Sequence, residues 1–409
     1  AAGLSLDTNL EEEGVQSPAF ALDAVSAENN VTRSVEASIK TSTVDAAAGT
    51  ITVKADKNTK IKAEAKADAQ ASLPLDYPEG FNVGAGGVYV FNQIVGTTSA
   101  FVEQSNLKTT TSGDIVVSAA DNAEIEALAQ AGGKATGSGS AATAGAALAM
   151  NLVGYEATTA SSKLLTALDG IFGGDLGETE KANSVTAYIE ISKINAAGKV
   201  DVDARANVFV GANVSSAAET ESSSMYEASG ASAAGLLATN LISGDATAYI
   251  KGESVTAGDA VTVDAINSAD IYANTKMVSS AIVTTDGKFK RVNDALAVVT
   301  AVDEDYISVE NASALKFGET VLVVGDTVGG GVARVYTYMG PDKSDVDLSD
   351  EDYEDLRFWK RNVETNLAPE GTNLADSDSV AVGGVVVSNR VDANVEAYVE
   401  NVTVKASGL

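Results

Sequence analysis

Along most of this chain, apolar residues fall at every second position. Ile51, Val53 and Ala55 alternate with Thr52, Lys54 and Asp56; after a polar step at 57–60 the alternation resumes with Ile61, Ala63, Ala65 and Ala67. A period of two sends successive side chains to opposite faces of a strand, so one face is buried and the other wetted. The Ala-rich stretch 63–71 has helix propensity. Its alternation with Glu, Lys, Asp and Gln would scatter apolar groups around a helix, so strand is predicted there too.

The pattern recurs about every 60 residues, as a repeat architecture does. One copy reads Ala37-Ser38-Ile39, Ala48-Gly49, Ile51-Thr52-Val53-Lys54-Ala55, Ile61-Lys62-Ala63. Ala100-Phe101-Val102, Ala187-Tyr188-Ile189 and Ala248-Tyr249-Ile250 open the next three copies, each followed by a glycine and two apolar runs. The step from Ala55 to Ile61, Ala119 to Ile125 and Ala265 to Ile271 is six positions, an even number that keeps both runs on one face. An Asn also recurs eight positions before the opening Ala, at Asn29, Asn92, Asn240 and Asn389. It is read first as a turn residue tolerating positive φ, with a hydrogen-bonded ladder as the alternative.

These periods predict an all-β chain, a right-handed parallel β-helix (β-solenoid), crossovers between parallel strands being overwhelmingly right-handed. Three apolar segments per repeat suggest about three coils of roughly 20 residues each. About 15 coils stacked at strand spacing would extend on the order of 70 Å.

Two segments break the pattern. Residues 162–183 read as a short helix plus loop; residues 282–378 read as a small β-rich inserted domain, with short strands at 319–325 and 331–339 and an acidic helix near 349–360. The organisation expected is therefore solenoid at 1–281, insert at 282–378 and solenoid again at 379–409, ending in an incomplete repeat.

That incomplete repeat starts at Ala397-Tyr398-Val399 and breaks off at Leu409, while Leu4-Ser5-Leu6-Asp7 reads as its continuation. Leu4, Leu6, Val402, Val404 and Leu409 are accordingly the candidate assembly residues, through which identical copies would join head to tail as a homopolymer or tandem array. Neither end shows a polar cap of the kind that closes natural solenoids.

Composition narrows the function. Hydrophobic residues make up 45% of the chain but aromatics only 5%, so the interior is Ala, Val, Ile and Leu. The net charge of −30 speaks against nucleic acid and anionic membranes as partners. No run is long and apolar enough for a membrane span, and no basic start marks a signal peptide. With no Cys and no His, disulfides, Cys or His nucleophiles and the usual zinc sites drop out.

The wording Ala-Tyr-Ile…Val-Thr-Ala-Gly-Asp-Ala-Val-Thr-Val-Asp-Ala at 248–265 resembles repeats of giant bacterial surface and secreted β-helix exoproteins, the filamentous-haemagglutinin-like adhesins among them. The insert's Val335-Tyr336-Thr337-Tyr338-Met339-Gly340-Pro341, with Val346-Asp347-Leu348-Ser349 and Trp359, is similar to a module interspersed in such proteins. The resemblance implies export to the cell surface or medium, a structural or adhesive role, and no catalytic residues.

Three functions follow as expectations. The first is a structural fibre segment. The second is an adhesin whose insert binds a host protein or glycan through Tyr336, Tyr338, Tyr353 or Trp359. The third and weakest is a polysaccharide enzyme; its acids lie at repeating outward positions such as Asp201, Asp203 and Asp264, the pattern of a solvated face, so no enzyme is expected. Calcium is the one candidate cofactor, at Asp342, Asp345, Asp347 and Asp350, although their spacing is not that of an EF-hand. The Gly-rich 132–139 lacks P-loop spacing and reads as a turn.

Overall fold

A computed structural model describes residues 2–8, 19–72, 80–137, 139–157, 159, 179–181, 183–223, 228–284, 304–324, 334–353, 358–362 and 377–408. Among these the chain is all-β, without a helix. A leading strand β1 (Ala2–Thr8) precedes the first copy, which forms β2 (Ala19–Thr32), β3 (Val35–Lys40), β4 (Thr43–Ala46) and β5 (Ile51–Ser72). The second forms β6 (Gly80–Val95), β7 (Thr98–Glu103), β8 (Asn106–Thr109) and β9 (Ile115–Gly137). The third forms β10 (Gly139–Val153), the small β11 (Tyr155–Glu156) and β12 (Thr179–Glu180), then β13 (Val185–Glu190), β14 (Lys193–Ala196) and β15 (Val200–Ser223). In the fourth, β16 (Ala228–Lys251) runs unbroken, followed by β17 (Ser254–Ala257) and β18 (Val261–Thr284).

The insert carries β19 (Tyr306–Ile307), β20 (Asn311–Leu315), β21 (Thr320–Val323), β22 (Arg334–Tyr338), β23 (Lys343–Asp347) and β24 (Trp359–Asn362). The fifth copy follows as β25 (Ser377–Glu400) and β26 (Thr403–Lys405).

Each of the first four copies contributes to three parallel sheets, and the fifth to two of them. A long sheet contains β2/β3, β6/β7, β10/β13, β16 and β25; a short sheet contains β4, β8, β14, β17 and β26; a second long sheet contains β5, β9, β15 and β18. Equivalent residues pair between copies. Ala37, Ala100, Ala187, Ala248 and Ala397 form one column of the first long sheet, and Ile51, Ile115, Val200 and Val261 one column of the second.

One repeat is therefore one layer, not three coils. The two apolar runs around residues 57–60 belong to a single strand of 22 residues, because the polar step does not turn the chain: Lys57 points inward and is wholly buried. At strand spacing, five layers rise only roughly 20–25 Å, and the width of each layer takes up the length that a taller stack was expected to have.

The core lies between the two long sheets. Near the short sheet it is filled by Val53, Val102, Leu107, Ile189, Val202 and Ile250. Toward the far end it thins to alanine and glycine. A Cβ on Gly86 would stand 1.9 Å from the Gly132 carbonyl oxygen, and one on Gly145 would stand 2.2 Å from that of Ala217. The facing backbones thus come closer than the ~10 Å of ordinary stacked sheets, which explains the run Ala65, Ala67, Ala69 and Ala71 opposite them.

The recurring Asn forms a ladder, not a turn. Asn29, Asn92, Asn151, Asn240 and Asn389 share one inward column, and each Nδ2 donates to the next Oδ1 at 2.8, 2.9, 2.8 and 2.8 Å. The positive-φ corner sits elsewhere, at Thr41 (48°), Gln104 (48°), Ile191 (47°), Gly252 (114°) and Asn401 (51°), between the first long sheet and the short one. There Thr41, Gln104, Ile191 and Gly252 each donate a backbone N–H to the carbonyl of the next layer, which holds the strained turn in place.

Two other expectations change, and a third cannot be compared. The acidic helix near 349–360 is absent among the described residues, and Trp359–Asn362 is a strand paired with β22. The helix expected in 162–183 lies almost entirely outside the described residues. Finally, β1 does not carry on the parallel stacking: it runs antiparallel along β2, with Leu4 opposite Ala24 and Leu6 opposite Leu22.

Candidate assembly interface

The last layer is where the stack is unfinished among the described residues. β25 pairs along its whole length with β16, but no strand pairs with its other edge. Nor does a fifth strand of the second long sheet face it. Val385, Val391 and Val395 are 45%, 45% and 47% exposed, while their column neighbours Leu236, Ile242 and Ala246 are 4%, 1% and 0% exposed. The side chains point to the same interior, with no facing strand over them among the described residues. Val402 and Val404 pack half-buried against the core beneath, and the Ala260–Gly408 bridge anchors the end of the layer. Leu409 lies outside the described residues.

Two columns of like groups and one charged pair run to this edge. The Asn ladder ends at Asn389. On the outer face, Phe101, Tyr188, Tyr249 and Tyr398 stack at centroid distances of 4.6, 4.8 and 5.1 Å, nearly parallel, so Tyr398 presents an open ring face. Beside it Lys251 pairs with Glu400 at 3.1 Å across the last two layers.

The opposite end has its own edge. β1 covers β2 only over Phe20–Ser26, leaving the outer edges of β3, β4 and β5 without a paired strand among the described residues. Position by position, the two ends match. Asn389 shares a column with Asn29, Val395 with Val35, Val399 with Ile39, Glu400 with Lys40 and Lys405 with Asp45.

The insert residues fall differently from expectation. Tyr336, Tyr338, Tyr353 and Trp359 are at most 5% exposed and pack on one another, so they are the insert's own core and present no ring face to a ligand. Their polar tips are satisfied internally: Tyr338 Oη donates to the Pro341 carbonyl at 2.7 Å, and Tyr353 Oη to that of Leu348 at 2.6 Å. Trp359 Nε1 donates to Glu351 at 3.2 Å.

The aspartates of the calcium hypothesis are spread along β23 and its flanks. Asp347 accepts from Ser349 N and Oγ at 3.0 and 2.7 Å, which holds its carboxyl below the usual range. Asp342 accepts from Phe317 N at 3.4 Å, Asp345 takes a positive φ of 54°, and Asp350 N donates to the Asp347 carbonyl at 3.3 Å. Among the described residues no three metal-binding side chains converge.

Sequence reasoning missed one buried polar group entirely. Lys57 Nζ contacts Asp121 Oδ2 at 2.9 Å and Asn183 Oδ1 at 2.8 Å, and Asn183 Nδ2 donates to the same carboxylate. The three come from three different layers and are fully buried. The recurrence of Asn58, Asn122 and Asn207 in a separate, outward-facing column is the sequence signal for a second polar feature, on the outer face of the second long sheet.

No known family model matches the chain, and neither the curated proteins nor the solved structures include a match to it.

Proposed function

We propose that this chain is a structural segment of an extracellular β-solenoid fibre or surface protein, a right-handed parallel β-helix that stacks on identical units. The matching columns of the first and last layers, with the valine face of β25 uncovered among the described residues, carry this reading. An unpaired edge beside an exposed apolar row is a template for another strand. The column-by-column likeness of the two ends supports a copy of the same chain as the occupant: Asn389 can extend the ladder to Asn29, and Glu400 would meet Lys40. The resemblance to giant bacterial exoproteins supports the same location and role.

Stacking has one structural cost. The antiparallel β1 occupies part of the edge that a second copy would meet, so β1 must leave β2 before its own Leu4 and Leu6 can complete another copy's last layer. Sedimentation velocity over a range of concentrations tests the proposal. Longer species should grow with concentration and disappear in a Val391→Lys, Val395→Lys double variant; a monomer at every concentration would contradict it.

A further inference from the structure

The outer face of the second long sheet carries a groove of about 550 Å³, lined by Asn58, Asn122, Asn207 and Phe209 among others. Its floor is an amide row: Asn122 Nδ2 donates to Asn58 Oδ1 at 2.7 Å and Asn207 Nδ2 to Asn122 Oδ1 at 2.8 Å, with Ser268 next in the column. An Asn amide has two N–H donors and two carbonyl lone pairs. The ladder uses one of each at Asn122, so a donor and an acceptor remain for a ligand, and the row repeats at the strand spacing.

One wall bears Phe209, 39% exposed, its ring lying over Gly211, where a Cβ would come within 3.2 Å of it. The glycine leaves room for the ring to lie along the sheet. The charges beside it are largely committed: Lys60 pairs with Glu124 at 2.8 Å and Glu126 at 3.3 Å, leaving Asp270. With a chain charge of −30, this lining disfavours an anionic polymer.

We propose that this groove binds a neutral polysaccharide laid along the stacking axis, its hydroxyls on the Asn58–Asn122–Asn207 amides and an apolar sugar face on Phe209. A hydroxyl can both donate and accept, so it can use whichever group each amide has left. An extended peptide pairs its backbone most readily with a strand edge, and this groove lies on a sheet face. The proposal is independent of whether units stack.

Affinity electrophoresis of the full chain through gels containing hydroxyethyl cellulose, soluble starch or a mixed-linkage β-glucan tests it, with dextran sulfate and an extended Gly-Ser-Tyr peptide as comparison probes. At least one neutral glucan should retard the protein. Phe209→Ala should weaken that retardation about tenfold, and Asn122→Leu should weaken it comparably, both with unchanged circular dichroism. No retardation by any neutral glucan, retardation unchanged in both variants, or binding only of dextran sulfate or the peptide would each overturn the assignment.

Discussion

The Lys57 ammonium and the Asp121 carboxylate meet at 2.9 Å with both side chains fully removed from solvent, in a protein whose other described ion pairs lie at its surface. They sit on neighbouring layers of one column, and Asn183 on the third layer bonds both. Breaking such a pair leaves a lone buried charge. Lys57→Met or Asp121→Asn alone should cost about 3–5 kcal/mol, whereas the double variant should recover most of the loss. A urea-unfolding double-mutant cycle reads both. Additive losses would contradict the pairing.

The same carboxylate sets a pH dependence. Burial pushes the Asp121 carboxyl up, against the downward pull of Lys57 and Asn183. An acid raised in the folded state binds protons there more readily than in the unfolded chain, so its contribution is greatest at low pH and fades as pH rises through the raised value. The stability gap between the native chain and Asp121→Asn should therefore narrow as pH climbs above about 4. A gap that widens over this range would refute the shift.

The Asn ladder predicts a position-dependent cost. Asn151 both donates and accepts inside the stack, while Asn389, among the described residues, is bonded in the ladder on one side only. Asn151→Leu should lose about 1–3 kcal/mol more than a surface change, because it strands the buried amides of Asn92 and Asn240. Asn389→Leu should cost clearly less. Thermal melts followed by circular dichroism separate the two, and equal losses would show that the ladder adds little.

The thin end of the core predicts a steric contrast. Gly145→Val would drive its side chain into the Ala217 carbonyl and should unfold the far end of the layers, at about 3 kcal/mol or more. At Gly235 an added Cβ meets nothing within 4 Å, and Gly235→Ala should leave stability unchanged or slightly raised. Protease resistance of the two variants measures the difference.

Strand identity was legible from the alternation at 51–55 and 61–71, because period two reports one buried face directly. The number of layers was not. A polar step reads as a turn in sequence, and only the Asp121 and Asn183 partners, supplied by other repeats, let Lys57 stay inside a strand. The Asn column was visible as a recurrence, but the same residue suits a turn and a ladder. The true corner at Thr41, Gln104 and Ile191 was hidden because none of these types favours a positive φ; cross-layer hydrogen bonds impose it. The insert's rings looked like a binding face because an aromatic-poor chain makes any aromatic cluster conspicuous, yet a small inserted domain needs those rings for its own core.

The matching columns at the two ends would put Glu400 of one copy beside Lys40 of the next, and the chain contains no cysteine to confuse a cross-linking test. Glu400→Cys and Lys40→Cys variants, mixed and oxidised, should give a covalent dimer that neither variant forms alone, since stacking puts those positions side by side. If the mixture stays monomeric, or cross-links no more than either variant by itself, end-to-end stacking of this chain is wrong.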